Sequence, residues 1–356
     1  MRAAVFHKGR FTLENLPDPS PGPGMVLVKP LVCGICGSDL HTRHHAHDLA
    51  NLLHRAGFND FMDPDKPVVM GHEFCCEVID YGPGSKRRIP VGERVVGLPF
   101  AVGPGGIELL GYSNNMNGAF AEAMVLDENA IFQVPDNVPT DVAALSEPLS
   151  VAIHAVAASP AGPGCAYAVH GCGPVGLFVI ARLRHLGLGP ILAVDPDANR
   201  RRFAEQMGAD HVIAPSSELT REWWEKQGAP IGMSDASAAR MTGKSGKRPI
   251  IFECVGKSGM VRSICEDAPV GAFIVVVGVC MEPDGFEPAI MVQKELTTRF
   301  IYAYSADEFA ESTKMINAAP ERLTSLVTGS ASLEKVTDAF DTLERGGSQA
   351  KVLVRI

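Results

Sequence analysis

The stretch AVHGCGPVG, residues 168–176, restricts the fold of this chain more than any other. Its glycines Gly171, Gly173 and Gly176 form a G-x-G-x-x-G pattern after an apolar strand and at the start of an apolar helix. The next predicted strand ends at Asp195, where a carboxylate can accept hydrogen bonds from the ribose of a dinucleotide. The glycines alone are a weak signal, but strand, turn, helix, strand and acid in this order predict a dinucleotide-binding site.

Each residue of the pattern has a physical reason. Gly171 permits a tight turn, Gly173 lets the backbone approach a pyrophosphate, and Gly176 allows the helix to pack closely on the strand, while the helix N-terminus attracts the phosphates. Asp195 would repel a 2'-phosphate, which favours NAD over NADP. The nearby residues 200–202 are all arginines and could instead hold a phosphate; we interpret them as a solvated helix face, with Arg200 along the adenine.

The pattern of apolar runs and turn-forming residues predicts an α/β protein with two domains. From about residue 165, apolar strands alternate with helices, which is typical of a doubly wound parallel sheet with right-handed crossovers. Residues 1 to about 149 are instead rich in glycine and proline between short apolar runs, which predicts a β-rich, barrel-like region. A chain of 356 residues is long enough for both domains to bury a core.

Composition and charge exclude several classes of function. A net charge of -9 without a basic run gives no footprint for nucleic acid or an anionic membrane, so we expect a small-molecule partner. The N-terminus lacks the apolar run of a signal peptide, and a cytoplasmic location is expected. The nine cysteines, an odd number, are interpreted as thiols or metal ligands rather than disulfides.

Three further segments carry a family resemblance. VCGICGSDLH at 32–41, GHEFCCEV at 71–78 and LSEPLSVAIHAV at 145–156 together resemble the zinc-dependent medium-chain dehydrogenases, the superfamily of alcohol, sorbitol, threonine and glucose dehydrogenases. GAD at 208–210, FECVG at 252–256 and KEL at 294–296 extend the resemblance over nearly the whole chain. The pair Cys33 and Cys36 is therefore not interpreted as a redox motif, because no fitting βαβ context surrounds it.

The resemblance implies a catalytic zinc ion. Its expected ligands are Cys36, His72 and a glutamate, either Glu73 or Glu147, between which the sequence does not decide. Thiolate, imidazole and carboxylate are ligands that zinc takes, and a catalytic site keeps one position open. Asp39 is expected to orient His72 through the ring nitrogen that does not bind the metal.

By the same resemblance, the hydroxyl of Ser38 takes the proton of the substrate and His41 passes it on towards water; a surface histidine without a role is the alternative for His41. These residues, with Asp39, form the predicted catalytic set. The predicted cofactor-binding residues are Gly171, Gly173, Val175, Gly176, Asp195, Arg200, Val277, Gly278, Val279 and Tyr302.

The resemblance implies a GroES-like zinc catalytic domain, residues 1–149 and 304–356, and a Rossmann NAD-binding domain, residues 150–303. The expected function is reversible oxidation of an alcohol, secondary and bulky or apolar, to a ketone or aldehyde with NAD, an EC 1.1.1 activity, by a homodimer or homotetramer. The alternatives are a zinc-free NADPH enone or quinone reductase of the same superfamily and a non-catalytic nucleotide-binding protein.

Four features depart from the family pattern or from a compact module. Residues 98–123 lack the four cysteines that hold a structural zinc in many members, so we expect none here. Ala303 stands where sorbitol-type members carry a polyol-binding arginine, which weakens a polyol substrate. The insertion at 41–66 is His-rich and is expected to cap the substrate cleft; a second metal site among its histidines is the less favoured reading. Residues 215–248 are interpreted as surface loop.

Overall fold

The computed structural model describes residues 1–103, 106–243, 246–346 and 349–356. The chain divides into two compact units. The first unit comprises Met1–Pro148 and Ala306–Ile356, and the second comprises Leu149–Ser305. Within the described ranges, every helix is too short or too polar to cross a lipid bilayer.

The strands of the described residues follow one another in chain order. They are β1 Arg2–His7, β2 Arg10–Asn15, β3 Met25–Gly34, β4 Val68–Val69, β5 Glu73–Tyr81, β6 Arg94–Gly97, β7 Phe100–Gly103, β8 Gly106–Leu109, β9 Met124–Asp127, β10 Ile131–Gln133, β11 Cys165–His170, β12 Ile191–Val194, β13 His211–Ile213, β14 Arg248–Glu253, β15 Phe273–Val276, β16 Thr297–Phe300, β17 Val327–Ser332 and β18 Lys351–Arg355.

The α-helices of the same residues are α1 Gly37–Arg55, α2 Thr140–Ala143, α3 Ser146–Ala157, α4 Pro174–His185, α5 Ala198–Met207, α6 Ser217–Lys226, α7 Met233–Thr242, α8 Met260–Asp267, α9 Pro288–Gln293, α10 Ala306–Ala318 and α11 Val336–Glu344. Short 3-10 turns occur at Pro320–Arg322, Thr324–Leu326 and Leu333–Lys335.

The described residues of the first unit form two main sheets and the two-stranded sheet β7-β8. The larger has the strand order β10-β6-β5-β3-β18-β17, with β9 also paired to β3, and the smaller has the order β2-β1-β4. Strands β3 and β5 are antiparallel, and their register sets Gly34 opposite Glu73. Cys36 follows the end of β3 and His72 precedes the start of β5, so this pairing brings two distant motifs to one end of the sheet.

An aromatic cluster explains why the C-terminal segment belongs to the first unit. Phe340 of α11 packs against Phe11 and Phe120, with ring centroids 4.7 and 6.1 Å away. Phe120 and Phe340 are fully buried. Burying a side chain of this size contributes about 1.5–3 kcal/mol, so the cluster joins the two ends of the chain into one core.

The second unit has a six-stranded parallel sheet in the order β13-β12-β11-β14-β15-β16. The order reverses between β11 and β14, which gives the doubly wound arrangement in which nucleotides bind at the carboxyl ends of the strands. Residues 168–176, with the glycine pattern, begin on β11 and end on α4, beside this reversal. The predicted doubly wound parallel sheet is thereby confirmed.

The loop interpretation of residues 215–248 was wrong. They contain α6, α7 and the start of β14, apart from residues 244 and 245, which lie outside the described residues. Trp223 and Trp224 of α6 are 5% and 0% exposed and pack with Ile251 and Ile274 of the sheet. Two tryptophans bury a large apolar area, and this burial holds α6 on the sheet. The polar sequence of α7, which follows, led to the loop interpretation.

The His-rich insertion begins as a helix. Residues 41–55 belong to α1, which departs from helical geometry at His45. The histidines form separate pairs with carboxylates: His44 with Glu344, His45 with Asp48 and His47 with Asp65. Among the described residues, no group of metal-binding type gathers in the insertion.

Candidate functional site

Three residues with metal-binding side chains meet where β3 ends and β5 begins. One ligand atom from each of Cys36, His72 and Glu73 lies within 4.8 Å of the others. The backbone at Gly34 leaves the space for this, because a Cβ there would collide with the Glu73 carboxylate. His72 and Glu73 are buried, whereas Cys36 is partly exposed, so the group is reachable from one side.

Asp39 connects the start of α1 to His72. Its Oδ2 accepts the N–H of Cys36 at 2.9 Å, and its Oδ1 lies 3.5 Å from Nδ1 of His72. That separation is too long for a hydrogen bond, and Nδ1 of His72 has no other partner although it is buried. Burial would raise the pKa of Asp39, but His72, the N–H of Cys36 and the hydroxyl of Tyr112 hold it below its usual value.

Cys36 and His72 fit a zinc ion together with a carboxylate. Thiolate, imidazole and carboxylate are the donors that zinc takes, and Cys36 and His72 offer two of them within 4.8 Å of each other. The buried Nδ1 of His72 faces Asp39, which leaves the other ring nitrogen for a metal. An imidazole directed by a carboxylate in this way is the usual arrangement behind a metal-bound histidine.

Glu73 is also held by a buried lysine. Nζ of Lys351 lies 2.7 Å from Oε1 and 2.6 Å from Oε2 of Glu73 and donates to the carbonyl oxygen of Ile35 at 3.2 Å. Burial would lower the pKa of Lys351, but Glu73, with Cys36 and Glu147, raises it above its ordinary value. Sequence analysis missed Lys351, although a lone lysine in the apolar strand KVLVR is a usable signal.

Glu147, the other candidate ligand, is the second residue of α3 and is 9% exposed. Its charge contributes to the raised pKa of Lys351, which places it in the electrostatic surroundings of the same group. In the part of the chain that the structure describes, the set with donor atoms within 4.8 Å contains Glu73 and not Glu147.

Ser38 and His41 are one turn apart near the start of α1. Oγ of Ser38 lies 2.8 Å from the hydroxyl of Tyr112, which lies in turn 2.7 Å from Oδ1 of Asp39. Burial foremost, and then the charge of His45, lowers the pKa of His41. The structure thus joins Ser38 to Asp39 through Tyr112, a residue that sequence analysis did not identify.

In the second unit, the glycine pattern has the geometry that its chemistry requires. Gly171 has φ +92°, a left-handed conformation that other residues rarely adopt. Gly173 is the N-cap of α4, and a Cβ there would meet nothing within 4 Å, so its surroundings are open. A Cβ at Gly176 would collide with the carbonyl of Gly171, which shows the close approach of helix and turn. Val175 lies in the first turn of α4, between Gly173 and Gly176 in the sequence.

Asp195 follows β12 and is 3% exposed. Its carboxylate accepts the N–H of Cys172 and of Asp197, each at 2.8 Å, and so connects the glycine turn to the next strand. Arg201 donates to the carbonyl oxygen of Asp195 at 2.7 Å, and Nε of Arg200 is buried without a hydrogen-bond partner.

The remaining predicted cofactor residues follow β15 and β16. The N–H groups of Val277 and Gly278 donate to the carbonyl of Glu253 at 2.9 and 3.0 Å, and Val279 and Tyr302 are 55% and 69% exposed. Oε1 of Glu253 accepts the N–H of Val255 and of Gly256, and burial raises its pKa. Sequence analysis did not single out Glu253, which holds these loops at the carboxyl ends of β14 and β15.

An open recess of about 180 Å³ is lined by Ser113 and by Phe61, which stacks on Tyr112. Its lining is largely polar, with Asn59, Asp60, Asn114 and Asn115 among its residues, next to Phe61 and Ile107. Glu108 lies in the segment 98–123, which lacks cysteines, and its carboxylate accepts hydrogen bonds from Ser113 at 2.6 Å and from Asn115 at 2.8 Å. This buried carboxylate network joins the parts of the lobe that line the recess.

Two family models match the chain. The alcohol dehydrogenase GroES-like domain matches residues 22–136, and the zinc-binding dehydrogenase domain matches residues 174–318. The first match contains Cys36, His72 and Glu73, and the second begins within the glycine pattern.

Characterised proteins resemble the chain over its full length. It is 30% identical to (R,R)-butanediol dehydrogenase of Bacillus subtilis (strain 168), over 100% of the chain and 99% of that protein. It is 28% identical to sorbitol dehydrogenase of Bos taurus, over 96% and 92%. The crystal structure of 2R,3R-butanediol dehydrogenase from Bacillus subtilis superposes with a TM-score of 0.82 at 29% identity, over 100% of the chain and 99% of that structure.

Proposed function

Because the chain belongs to the zinc-dependent medium-chain dehydrogenase superfamily, we propose that Cys36, His72 and Glu147 hold its catalytic zinc and that Ser38 takes the substrate proton. The protein is an alcohol oxidoreductase of the EC 1.1.1 class that uses zinc and a nicotinamide cofactor. Its relatives do not favour the alternatives of a zinc-free reductase or a non-catalytic nucleotide-binding protein.

The ligand assignment rests on one observation. Cys36 and His72 lie close together, and the carboxylate beside them, that of Glu73, is already paired with a lysine. Both oxygens of Glu73 face the ammonium group of Lys351, within 2.7 Å. A cation bound to the same carboxylate would meet the positive charge of Lys351, which opposes binding. Glu147 is the other carboxylate of the motifs and is 9% exposed in the first turn of α3, and we propose it as the third ligand in place of Glu73.

When bound, zinc lowers the pKa of the substrate alcohol as a Lewis acid, and the nicotinamide accepts a hydride. The chain supplies the remaining steps. Asp39 directs the ring of His72, and the oxygen of Ser38 accepts the proton of the alcohol. Burial lowers the pKa of His41, which favours the neutral ring, and this ring can receive the proton that Ser38 releases as it accepts that of the alcohol.

In the second unit, the open backbone at Gly173 and the N-terminus of α4 supply N–H groups for the pyrophosphate. Asp195 accepts hydrogen bonds from the adenosine ribose and repels a 2'-phosphate. We therefore propose NAD as the cofactor, with Gly171, Val175, Gly176, Arg200, Val277, Gly278, Val279 and Tyr302 completing its site. Initial rates with NAD and NADP at equal concentration test this, and preference for NADP would contradict it.

The substrate that we propose is a small secondary alcohol with a second hydroxyl group. Two observations support it: relatives named for butanediol and sorbitol, and a recess with a polar lining that includes Phe61, the residue stacked on Tyr112. The bulky or apolar substrate expected from the sequence has less support: of the apolar residues in the insertion, Met62 is 3% exposed in the core and Phe61 stacks on Tyr112. Their apolar character serves packing.

NADH formation with (2R,3R)-butane-2,3-diol, sorbitol and benzyl alcohol tests the proposed activity. We expect turnover of the diol, loss of turnover with a chelator, and recovery after zinc is added. Turnover that persists in excess chelator, in protein shown to be free of metal, would contradict a zinc-dependent reaction.

Further proposals concern organisation. We propose that the first unit is the zinc catalytic domain and the second the NAD-binding domain, with one catalytic zinc and no structural zinc per chain. A homodimer or homotetramer is supported by the edge strand β16, where Phe300 is 68% exposed, and by Val292, 73% exposed. Light scattering during gel filtration tests it, and a monomer would contradict it. The cytoplasmic location stays a prediction.

A further inference from the structure

The loop at 277–287, between β15 and α9, begins with three of the proposed cofactor residues. A Cβ at Gly278 would lie 2.2 Å from the backbone nitrogen of Gly256, and a Cβ at Gly256 would lie 2.7 Å from the backbone of Val279. The start of the loop therefore lies directly on the turn that follows β14. The side chain of Val279 is 55% exposed at this place, so it is free to contact a ligand.

Asp284 attaches the far part of the same loop to α8. Its Oδ1 accepts the N–H of Gly259, the N-cap residue of α8, at 2.9 Å. The N–H groups at the start of a helix have no acceptor within it, and a carboxylate there also meets the positive end of the helix dipole. The neighbouring Ser258 donates to the carbonyl of Pro283 at 3.4 Å. Both ends of the loop are thus held by the one connection between β14 and α8.

The second carboxylate oxygen of Asp284 shows that stability alone does not explain this aspartate. Among the residues that the structure describes, Oδ2 of Asp284 is buried and has no hydrogen-bond partner. A buried acceptor without a partner costs free energy of folding, and a neutral side chain could accept the same N–H at a lower cost. The ionised carboxylate does make a stronger bond to Gly259 than a neutral acceptor would. The side chain therefore favours a firm attachment of the loop.

We propose that Asp284 is a positioning residue for the cofactor: its bond to Gly259 holds the loop 277–287 on α8 and thereby keeps Val279 in place for the nicotinamide ring. This inference rests on the proposed function, in which the first three residues of the loop belong to the NAD site. Ligands of a doubly wound sheet bind beyond the carboxyl ends of its strands, where this loop begins. A loop that is already ordered loses less entropy when the ligand binds.

The variant Asp284→Ala removes the bond, and two ligands report the effect. One is NADH, and the other is ADP-ribose, which lacks the nicotinamide ring; calorimetry gives both Kd values. We expect Kd for NADH to rise about three- to tenfold, the size of one lost capping interaction, while Kd for ADP-ribose stays as in the wild type. General damage to the second unit would weaken both ligands, so the ratio of the two Kd values reports positioning.

Glu287→Ala is the matched control. Glu287 ends the same loop, but it and its partner Arg262 are 62% and 51% exposed, so this variant should keep the wild-type ratio. Asp284→Asn keeps an acceptor for the N–H of Gly259 and should lose less than Asp284→Ala. An unchanged ratio in Asp284→Ala, an equal rise of both Kd values, or a loss in Asp284→Asn as large as in Asp284→Ala would each overturn the proposal.

Hydrogen–deuterium exchange of the wild type tests the same coupling without a variant. If the bond between Asp284 and Gly259 favours binding of the nicotinamide ring, the bound ring must favour the bond to the same degree. The N–H of Gly259 should therefore exchange about three- to tenfold more slowly with saturating NADH than with saturating ADP-ribose. Equal exchange with the two ligands would overturn the proposal even if Asp284→Ala does not fold.

The two ligands also distinguish this inference from the proposed function. If the wild type binds NADH no more tightly than ADP-ribose, the loop does not hold the nicotinamide ring, and the proposed cofactor site fails together with the role of Asp284. If the wild type favours NADH while Asp284→Ala behaves like Glu287→Ala, the cofactor site stands and only the positioning role is wrong.

Discussion

In the second unit, the glycine turn and Asp195, which accepts the N–H of Cys172 in that turn, lie within one strand-helix-strand segment. In the first unit, Cys36 meets His72 only through the register of β3 and β5, and Glu73 is held by Lys351, 278 residues further along the chain. A local motif can form its site wherever its own segment folds. A site assembled over long range depends on the packing of the whole unit, and its parts should fail together.

The largest effect should come from Cys36→Ser, which removes a zinc ligand of the first unit and leaves the second untouched. Because the Lewis acid contributes several kcal/mol to the reaction, we expect kcat to fall on the order of 1000-fold or more. NAD binding, measured by calorimetry, should stay as in the wild type. Cys280→Ser, in the second unit, is the matched control and should keep its activity. Equal activity in the two variants would remove the distinction between the units.

The next largest effect is expected from Lys351→Met, which should lower the free energy of unfolding. It leaves the carboxylate of Glu73 buried without its partner, and breaking such a pair costs about 3–5 kcal/mol of the free energy of unfolding. Denaturant unfolding checks this. Arg355→Ala on the same strand is the control, because its pair with Asp141 is 51% and 28% exposed, and its loss should cost less than about 1 kcal/mol. Similar losses in both variants would show that the buried pair is not special.

Asp195→Asn should change cofactor choice by a smaller factor. The amide keeps an acceptor for the N–H of Cys172 but removes the charge that repels a 2'-phosphate. We expect the ratio of kcat/KM for NADP to that for NAD to rise about tenfold, which corresponds to about 1.4 kcal/mol. Asp197→Asn, two residues further on, is the control. A ratio that does not change would mean that Asp195 does not decide between the cofactors.

The smallest effect is expected from the double variant His44→Ala, His47→Ala. These histidines pair singly with exposed carboxylates, so their loss should change the free energy of unfolding by less than about 1 kcal/mol. The zinc content should not change either. A loss of zinc from this variant would reveal a metal site in the insertion and would show that local residues also bind metal in the first unit.

The parts of the molecule that sequence predicted best are those that depend on neighbours along the chain. The strand, turn and helix around Gly171 follow from local preferences, and the parallel sheet follows from the alternation of elements. Cys36 and His72 were predicted only through the family resemblance, because nothing in the sequence shows that β3 and β5 pair in the required register.

Tyr112 and Lys351 were missed for the same reason. Tyr112 contacts Ser38 across 74 residues and Lys351 contacts Glu73 across 278, and no spacing rule connects residues so far apart. In the insertion, Met62 belongs to the core of the first unit and Phe61 packs against it, which the sequence did not reveal. A burial pattern is needed to separate an apolar residue that packs from one that binds.

The most direct test of the long-range metal site is the zinc content per chain, measured by elemental analysis on wild-type protein and on Cys36→Ser, each purified without chelator and supplied with zinc. The site described here predicts about one zinc per wild-type chain and none in the variant. A wild-type protein without zinc, or a variant that keeps it, would contradict the assignment of Cys36 and His72 as ligands.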